Sequence, residues 1–422
     1  AHQRLSIIDL SEAANQPFHK HDLVTVFNGE IYNYKELQDK LIAEKQITFN
    51  TSSDTEVVVE MFKHYGYDCL NHFLGMFAFA IYNRTTGELF IARDHFGIKP
   101  LFYTQINGAF AFSSELKTLV HVPGFNKTIN PKSLVSCLNY IWISGNESMF
   151  KGCYKLPPAH YISYNKTTGL KLVKYWELQD NTGNKTSSNI DSIAADVADT
   201  MESSVKRHMV ADVPVSCFLS GGLDSSLISV LAKKSNDHLS TYTIGTDDKD
   251  KKAESMPDDE KYANMLAGLF NLDHNVIKIS PDILKDLPAM VKSLDEPIGD
   301  PAAINTYLIC KAARDKGVKV LLSGMGADEI FFGYRRQKAT MMAQRFNRLP
   351  QPVKYVVSKM VNLLPVKISN RGFKFGRWAK RFMSFATMPL ERAYMRSYSY
   401  YDTDQLKELL KENISTDKSH KN

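Results

Sequence analysis

The stretch from Val215 to Ser226, reading Val-Ser-Cys-Phe-Leu-Ser-Gly-Gly-Leu-Asp-Ser-Ser, carries the residue types that grip phosphate. Two glycines allow a tight turn and let backbone N–H groups approach an anion closely. A helix behind them adds unpaired N–H donors and the positive end of its dipole. Ser220, Ser225 and Ser226 supply hydroxyl donors, and Asp224 could hold a cation that neutralises phosphate oxygens. No Gly-x-x-x-x-Gly-Lys-Ser/Thr occurs, so this is not the common P-loop. A strand-turn-helix junction packed with small residues would also read Ser-Gly-Gly. The whole run after an apolar strand is far more specific than that triplet.

Such a turn must be held by a strand and a helix. Val215–Leu219 reads as a strand buried on both faces, followed by a helix from about Ser225 to Lys234. Further strands are expected at Ser240–Ile244, Asn275–Ile279 and Val318–Leu322, with helices near 258–270, 283–293 and 302–316. This alternation predicts an α/β domain with a parallel sheet, helices on both faces and ligands at the strands' carboxyl ends, where Ser220 and Ser323 fall. Ahead of it Ile193, Val197, Met201, Val205 and Met209 mark one helical face.

The first half has a different rhythm. Short strands are expected at Val24–Phe27, Met76–Tyr82, Glu88–Ala92, Leu101–Thr104 and Ala109–Ser113, with helices at Tyr34–Ala43 and Thr55–Tyr65. Strands grouped with few helices predict an α+β domain of stacked antiparallel sheets with outer helices. The expected domains are 1–177 and 190–422, joined by a polar linker at 178–189. Asp247–Asp258 reads as a mobile loop, and the pattern past Phe331 is mostly helical.

Bulk properties exclude several classes. The 422 residues are 43% hydrophobic and 23% charged, with no apolar stretch long enough to span a membrane. Five scattered cysteines without Cys-x-x-Cys spacing indicate free thiols and a cytoplasmic compartment. The net charge of +6 is uneven, because residues 331–381 hold thirteen Lys or Arg and no acid. That stretch could meet phosphates, an acidic membrane or nucleic acid, or simply form solvated helix faces beside a nucleotide site.

The turn at Ser220–Ser226 resembles the pyrophosphate loop of the ATP pyrophosphatases. Together with His2–Asp9, Phe27–Asn33, Ser53–Glu56, Gly75–Ala80, Arg93–Leu101, Asp295–Pro297 and Ser323–Glu329, it makes the chain similar to the glutamine-hydrolysing asparagine synthetase family. The resemblance runs nearly end to end. It implies an N-terminal-nucleophile glutaminase followed by a synthetase domain that activates a carboxylate as an acyl-adenylate. Arg4, within the segment Arg4, Leu5, Ser6, Ile7 and Ile8, would hold the glutamine α-carboxylate. Asp54 and the Gly29-Glu30 region would hold the α-ammonium, and Asn28 with the Gly29 N–H would form the oxyanion hole. Read alone, Asn28-Gly29 is a hairpin turn.

In the second half the resemblance assigns ATP and pyrophosphate to Leu219, Ser220, Gly221, Gly222, Leu223, Asp224, Ser225, Ser226, Ile244, Ser323 and Gly324. Leu219 and Ile244 would frame the adenine, and Asp224 and Asp328 would hold Mg²⁺. The implied partners are glutamine, ATP and aspartate or another carboxylate, with a homodimer allowed and nucleic acid not expected.

The family's nucleophilic cysteine opens the mature protein, some tens of positions before the Arg4 motif, and further helices follow the position of Asn422. The chain is therefore read as a fragment, with no glutaminase activity expected from it. Where the family has Ser-Gly-Glu or Ser-Gly-Asp, Met325 stands in place of the acid. An acceptor other than aspartate, such as a sugar acid in surface-polysaccharide synthesis, follows as an alternative. A non-catalytic ATP-binding homologue and a nucleic-acid-modifying pyrophosphatase are others.

Overall fold

Along Phe77-Ala78-Phe79-Ala80-Ile81 large and small residues alternate, and both sets are buried. A strand's period of two sends the large set to one side and the alanines to the other. Such a segment belongs in a sheet covered on both faces. The computed structural model describes residues 2–179, 189–245, 259–278, 284–365, 367–368, 371–372, 374–401 and 403–410. Its first nine strands are β1 (Phe18–Lys20), β2 (Leu23–Ile31), β3 (Gly75–Asn83), β4 (Leu89–Arg93), β5 (Phe102–Ile106), β6 (Ala109–Ser113), β7 (Cys153–Lys155), β8 (His160–Asn165) and β9 (Gly169–Lys174). They form two antiparallel sheets, ordered β1-β2-β3-β4-β8-β9 and β6-β5-β7.

The aromatic side of β3 packs with Leu37 and Leu41 of helix α1 (Tyr34–Lys45) and with Val58 and Met61 of α2 (Asp54–Tyr65). Ala78 and Ala80 face Ile91, Leu101, Ile162, Tyr103 and Phe112, the layer between the sheets. Beyond the smaller sheet, Phe102 and Ile106 pack on Leu116 and Leu119 of α3 (Leu116–Val120). These are the expected stacked antiparallel sheets with helices outside.

Helix α4 (Pro131–Tyr140) precedes α5 (Ile190–His208). The alternating region then runs β10 (Val215–Phe218), α6 (Leu223–Lys233), β11 (Ser240–Gly245), α7 (Asp259–Phe270), β12 (Asp273–Lys278), α8 (Leu287–Ser293), α9 (Ala302–Asp315) and β13 (Val320–Leu322). All three pairings are parallel, in the order β12-β11-β10-β13. Cys217 and Leu219 pack against Val205, Leu231, Ala232 and Ala263 on one face of this sheet. Tyr242 packs with Ile309 and Ala313 of α9 on the other, so helices cover both faces as expected. Chain order reverses between β10 and β13, which makes their carboxyl ends the topological switch point.

The chain divides into two compact units, Ala1–Asn130 with Gly145–Glu296 and Asp300–Gly324, and Pro131–Ser144 with Pro297–Gly299 and Met325–Asn422. The second unit contains α4, α10 (Ala327–Phe331), α11 (Arg335–Asn347), α12 (Gln351–Leu363), α13 (Lys374–Met383), α14 (Leu390–Tyr398) and α15 (Thr403–Leu410). Its core gathers Ala343, Phe385, Ala386 and Ala393. Helical structure past Phe331 matches the sequence reading.

Two details differ from that reading. Helix α6 begins at Leu223, not Ser225, because Gly222 takes the extended N-cap conformation. The apolar stripe of α5 is buried only toward its end, with Val205 covered and Ile193 exposed. The loop expected at Asp247–Asp258, and all but the ends of the linker at 178–189, lie outside the described residues. Among the described residues no helix is long and apolar enough to cross a membrane.

Candidate functional site

Strand β10 ends at Phe218, and the next residue, Leu219, is fully buried beneath the turn. Its N–H donates to the Tyr242 carbonyl at 2.8 Å, which extends the strand by one bond before the chain bends. Gly221 has φ +75°, and a Cβ there would lie 2.6 Å from the Asp259 carbonyl oxygen and 3.0 Å from the Ala263 nitrogen. Only glycine fits that position without strain. The Ser225 hydroxyl lies 3.0 Å from that of Ser220, accepts from the Ser220 N–H at 3.2 Å and donates to the Gly222 carbonyl at 3.2 Å. These bonds hold the turn in shape while Ser220, Gly222 and Leu223 stay exposed. The first N–H groups of α6 have no acceptor within their own helix.

The second wall comes from β13. Gly324 approaches α6 so closely that a Cβ on it would lie 2.8 Å from both the Asp224 Cβ and the Ser225 nitrogen. Gly324, next to Ser323, thus meets Asp224 and Ser225 across the switch point. Ile244 stands at the end of β11 and packs toward α9, on the opposite face from Leu219. The buried Leu219 side chain is part of the core, so what it could offer a ligand is its backbone. Asp224 is half-buried in the first turn of α6. Asp328 lies in α10 of the second unit, also half-buried. Among the described residues no group of three or more His, Cys, Asp or Glu could hold a metal. A magnesium ion that keeps waters and phosphate oxygens needs only one or two carboxylates.

The residues expected to bind glutamine gather elsewhere in the same unit. Asn28-Gly29 is no hairpin. It lies inside β2, paired with Ala78 and Phe77 of β3. Gly29 has φ +156°, and a Cβ there would collide with the Met76 carbonyl and lie 2.7 Å from the Phe77 Cα. The glycine serves close strand approach rather than a turn. The Asn28 amide donates to Ser114 Oγ at 3.2 Å.

Arg4 lies in an irregular segment whose Ile8 end is anchored in the core. One terminal nitrogen, Nη2, donates to the carbonyls of Ile8 at 2.7 Å and Asp9 at 2.8 Å. The other, Nη1, is buried and has no partner among the described residues. A ligand carboxylate would satisfy it. Leu5 is exposed, and Ser6 and Ile7 are half-buried. Asp54 is buried at the start of α2, where its carboxylate accepts from the Ile31 N–H at 3.0 Å.

Burial pushes the Glu30 carboxyl well above the usual range, and the neighbouring Asp54 charge adds to this, against the pull of Lys99 and Arg4. Asp54 is also raised by burial, opposed by N–H donors from Ile31 and Thr55 and by Arg4. Two buried carboxyls that resist holding two charges suit a ligand ammonium. Lys99 and Ser114 are neighbours to which the sequence reading gave no role. Lys99 is reached because the Asp94 carboxylate accepts from the N–H groups of Phe77, Phe96, Ile98 and Lys99. Arg93 locks the same loop by donating to the carbonyls of Lys99, Leu156 and Gly97.

Asp295 and Glu296 turn out to tie the parallel sheet's loop to the first half. Asp295 accepts from the Leu116 N–H at 2.6 Å, which caps α3. Glu296 pairs with Lys155 of β7 at 2.6 Å and accepts from the Met149 N–H at 3.1 Å. Four of the five cysteines are far from a poised thiolate. Burial raises the thiols of Cys69, Cys153 and Cys310 and pushes Cys217 up to about 12.

Comparison with known proteins bears on both sites. The glutamine amidotransferase domain model matches residues 1–176, and the asparagine synthase model matches residues 196–421. Asparagine synthetase (glutamine-hydrolyzing) 1 of Bacillus subtilis is 34% identical over 412 residues, which cover 97% of this chain and 62% of that protein. Asparagine synthetase (glutamine-hydrolyzing) 3 of the same organism is 33% identical over 349 residues, 79% of this chain and 56% of that one. Amidase chyE of Penicillium rubens is 30% identical over 363 residues, 81% of this chain and 52% of that protein. The chain thus spans about three fifths of the length of the Bacillus relatives it matches. With the model match reaching across the Ser220 turn, the parallel sheet and the helices beyond it, the chain belongs to the asparagine synthase family.

Proposed function

We propose that this chain takes part in glutamine-dependent amide formation, with aspartate as the acceptor and asparagine as the product. Residues 1–177 form the glutaminase part and residues 190–422 the synthase part of this reading. ATP reacts with the acceptor carboxylate, whose oxygen attacks the α-phosphorus and expels pyrophosphate. Ammonia released from glutamine then attacks the acyl carbon, and AMP leaves as the amide forms. The residues of this chain bind and orient these groups. The Ser220–Ser226 turn would cradle the departing pyrophosphate with its N–H and hydroxyl groups. Asp224 and Asp328 are the carboxylates we propose as magnesium ligands, each open to test by its own substitution. The ion would neutralise phosphate oxygens. Arg4 would take the glutamine α-carboxylate, Glu30 and Asp54 its ammonium, and Asn28 with the Gly29 N–H the tetrahedral oxygen.

One observation carries the reading. The glycine-built turn after β10 stays open to solvent and meets Gly324 at the sheet's switch point. Exchange of labelled pyrophosphate into ATP tests it, run with intact protein, magnesium and aspartate. Aspartate-dependent exchange is expected. Absence of both exchange and nucleotide binding, whatever carboxylate is supplied, would reject the proposal.

A second acceptor reading rests on Met325. This exposed thioether, 88% accessible, stands where the family resemblance expects an acid. Methionine can neither bind a hard cation nor move a proton. The similarity to a protein named as an amidase fits a different carboxylate, such as a sugar acid. Running the same exchange with hexuronic acids separates the two acceptors.

A further inference from the structure

Asp9 is a non-glycine residue in the left-handed region, with φ +56°. That conformation costs on the order of 1–3 kcal/mol and persists where the surroundings over-determine it. Here every polar group of the residue is engaged. Its carboxylate accepts from the N–H and hydroxyl of Ser11, at 3.0 and 2.6 Å, and from those of Ser52, at 2.8 and 3.2 Å. Its carbonyl accepts from Arg4 Nη2, and its N–H donates to Asp212 Oδ2 at 2.7 Å. Asp212 returns its own N–H to the Ile7 carbonyl at 2.9 Å. Ser52 lies two residues before Asp54, and Asp212 three residues before β10 and the turn it feeds. The strained residue therefore touches the Arg4 segment, the Asp54 loop and the connection that leads into the parallel sheet.

We infer that Asp212, contributed by the α5–β10 connection, is a positioning residue for glutamine recognition. This rests on the proposed role of Arg4. Asp212 holds Asp9 in its left-handed turn. The Ile8 and Asp9 carbonyls so placed take up Nη2 and leave Nη1 for the ligand carboxylate. Two further contacts pin the end of α5, just before that connection, to the first half. Tyr32 stacks on His208 with ring centres 3.7 Å apart, and Arg207 pairs with Glu36 at 3.1 Å. Tyr32 neighbours Glu30 and Asp54, whereas the exposed Arg207–Glu36 pair touches neither Asp9 nor Arg4 and serves as the control.

Calorimetric titration of the full chain with L-glutamine, and separately with magnesium ATP, tests the inference. Asp212→Ala is expected to weaken L-glutamine about tenfold, as loss of one charge-assisted hydrogen bond would, with ATP affinity and melting temperature little changed. Asp212→Asn keeps an acceptor oxygen and restores glutamine affinity to within about threefold of the parent. Arg207→Ala breaks the exposed pair with Glu36 and leaves glutamine affinity unchanged. Should Asp212→Ala fail to fold, Asp212→Ser, too short to reach the Asp9 N–H, carries the same expectation. Equal glutamine affinity in parent and variant would overturn the inference alone, as would an equal loss in Arg207→Ala. Absence of glutamine binding by the unsubstituted protein would instead sink the role of Arg4, and this inference with it.

Discussion

Replacing Gly221 by alanine is the sharpest test of the phosphate turn. The residue sits at φ +75°, where an L side chain costs about 1–2 kcal/mol. The new Cβ would also lie 2.6 Å from the Asp259 carbonyl oxygen, 2.9 Å from the Tyr262 Cβ and 3.0 Å from the Ala263 nitrogen. Two of those atoms are backbone of α7, which cannot swing aside as a long side chain would. Overpacking of this kind adds about 1–3 kcal/mol, for a total of about 2–5 kcal/mol. If the turn yields rather than the helix, about 2 kcal/mol of this appears as a loss of nucleotide affinity near 30-fold. Gly222→Ala is the internal control. Gly222 has φ −75°, and its nearest neighbour to a new Cβ is Ser220 Oγ at 3.4 Å. Its expected cost is under about 1 kcal/mol, that of a changed N-cap. Urea unfolding and calorimetric titration with magnesium ATP read both quantities. A Gly221→Ala protein matching the parent in both, or a Gly222→Ala protein equally damaged, would refute the reasoning.

Glu30 titrates above the ordinary 4.5, so its folded form favours the proton. That contribution to stability is complete below about pH 4.5 and is lost as pH rises through the raised value. Melting temperature should therefore fall across that window, and Glu30→Gln should flatten the fall; an unchanged slope would count against the assignment. Glu296→Ala removes the 2.6 Å pair with Lys155 and the acceptor of the Met149 N–H in a mostly buried setting and is expected to cost about 2–3 kcal/mol in urea unfolding. Asp295→Ala, which removes a cap from α3 and a half-exposed pair with Lys117 that adds little, should cost about 1 kcal/mol; a reversed order would contradict this account of the pair. Gly29→Ala forces β2 off β3 and should cost more than about 3 kcal/mol, visible as lost far-ultraviolet ellipticity at moderate urea.

Local chemistry announced the segments whose structure is local. The Ser-Gly-Gly turn, the strand before it and the helix after it follow from glycine's freedom and an apolar run, and they stand within two residues of expectation. The helices at 34–45 and 54–65 and the strand at β3 were equally readable. What was hidden depends on distant partners. Asn28-Gly29 carries the strongest short-range turn signal, yet β3 overrides it by pairing through nine residues of β2. Nothing near β4 reveals that β8, some seventy residues later, completes its ladder. Asp295 and Glu296 read as a motif of the second half, whereas their partners Leu116, Met149 and Lys155 lie in the first. The likeness to a family named the Arg4, Glu30 and Asp54 set, but only coordinates reveal Arg4 Nη1 without a partner.

The pairing of Val215 with Val320 carries a consequence for biogenesis. A ribosome making this polypeptide releases β1 through β9 as a closed set of neighbours, able to zip up at once. The crevice after Ser220, by contrast, waits for a wall encoded about a hundred codons downstream. Under the proposed function, a nucleotide held there would mark late maturation, because only a chain whose β13 has already docked offers both walls.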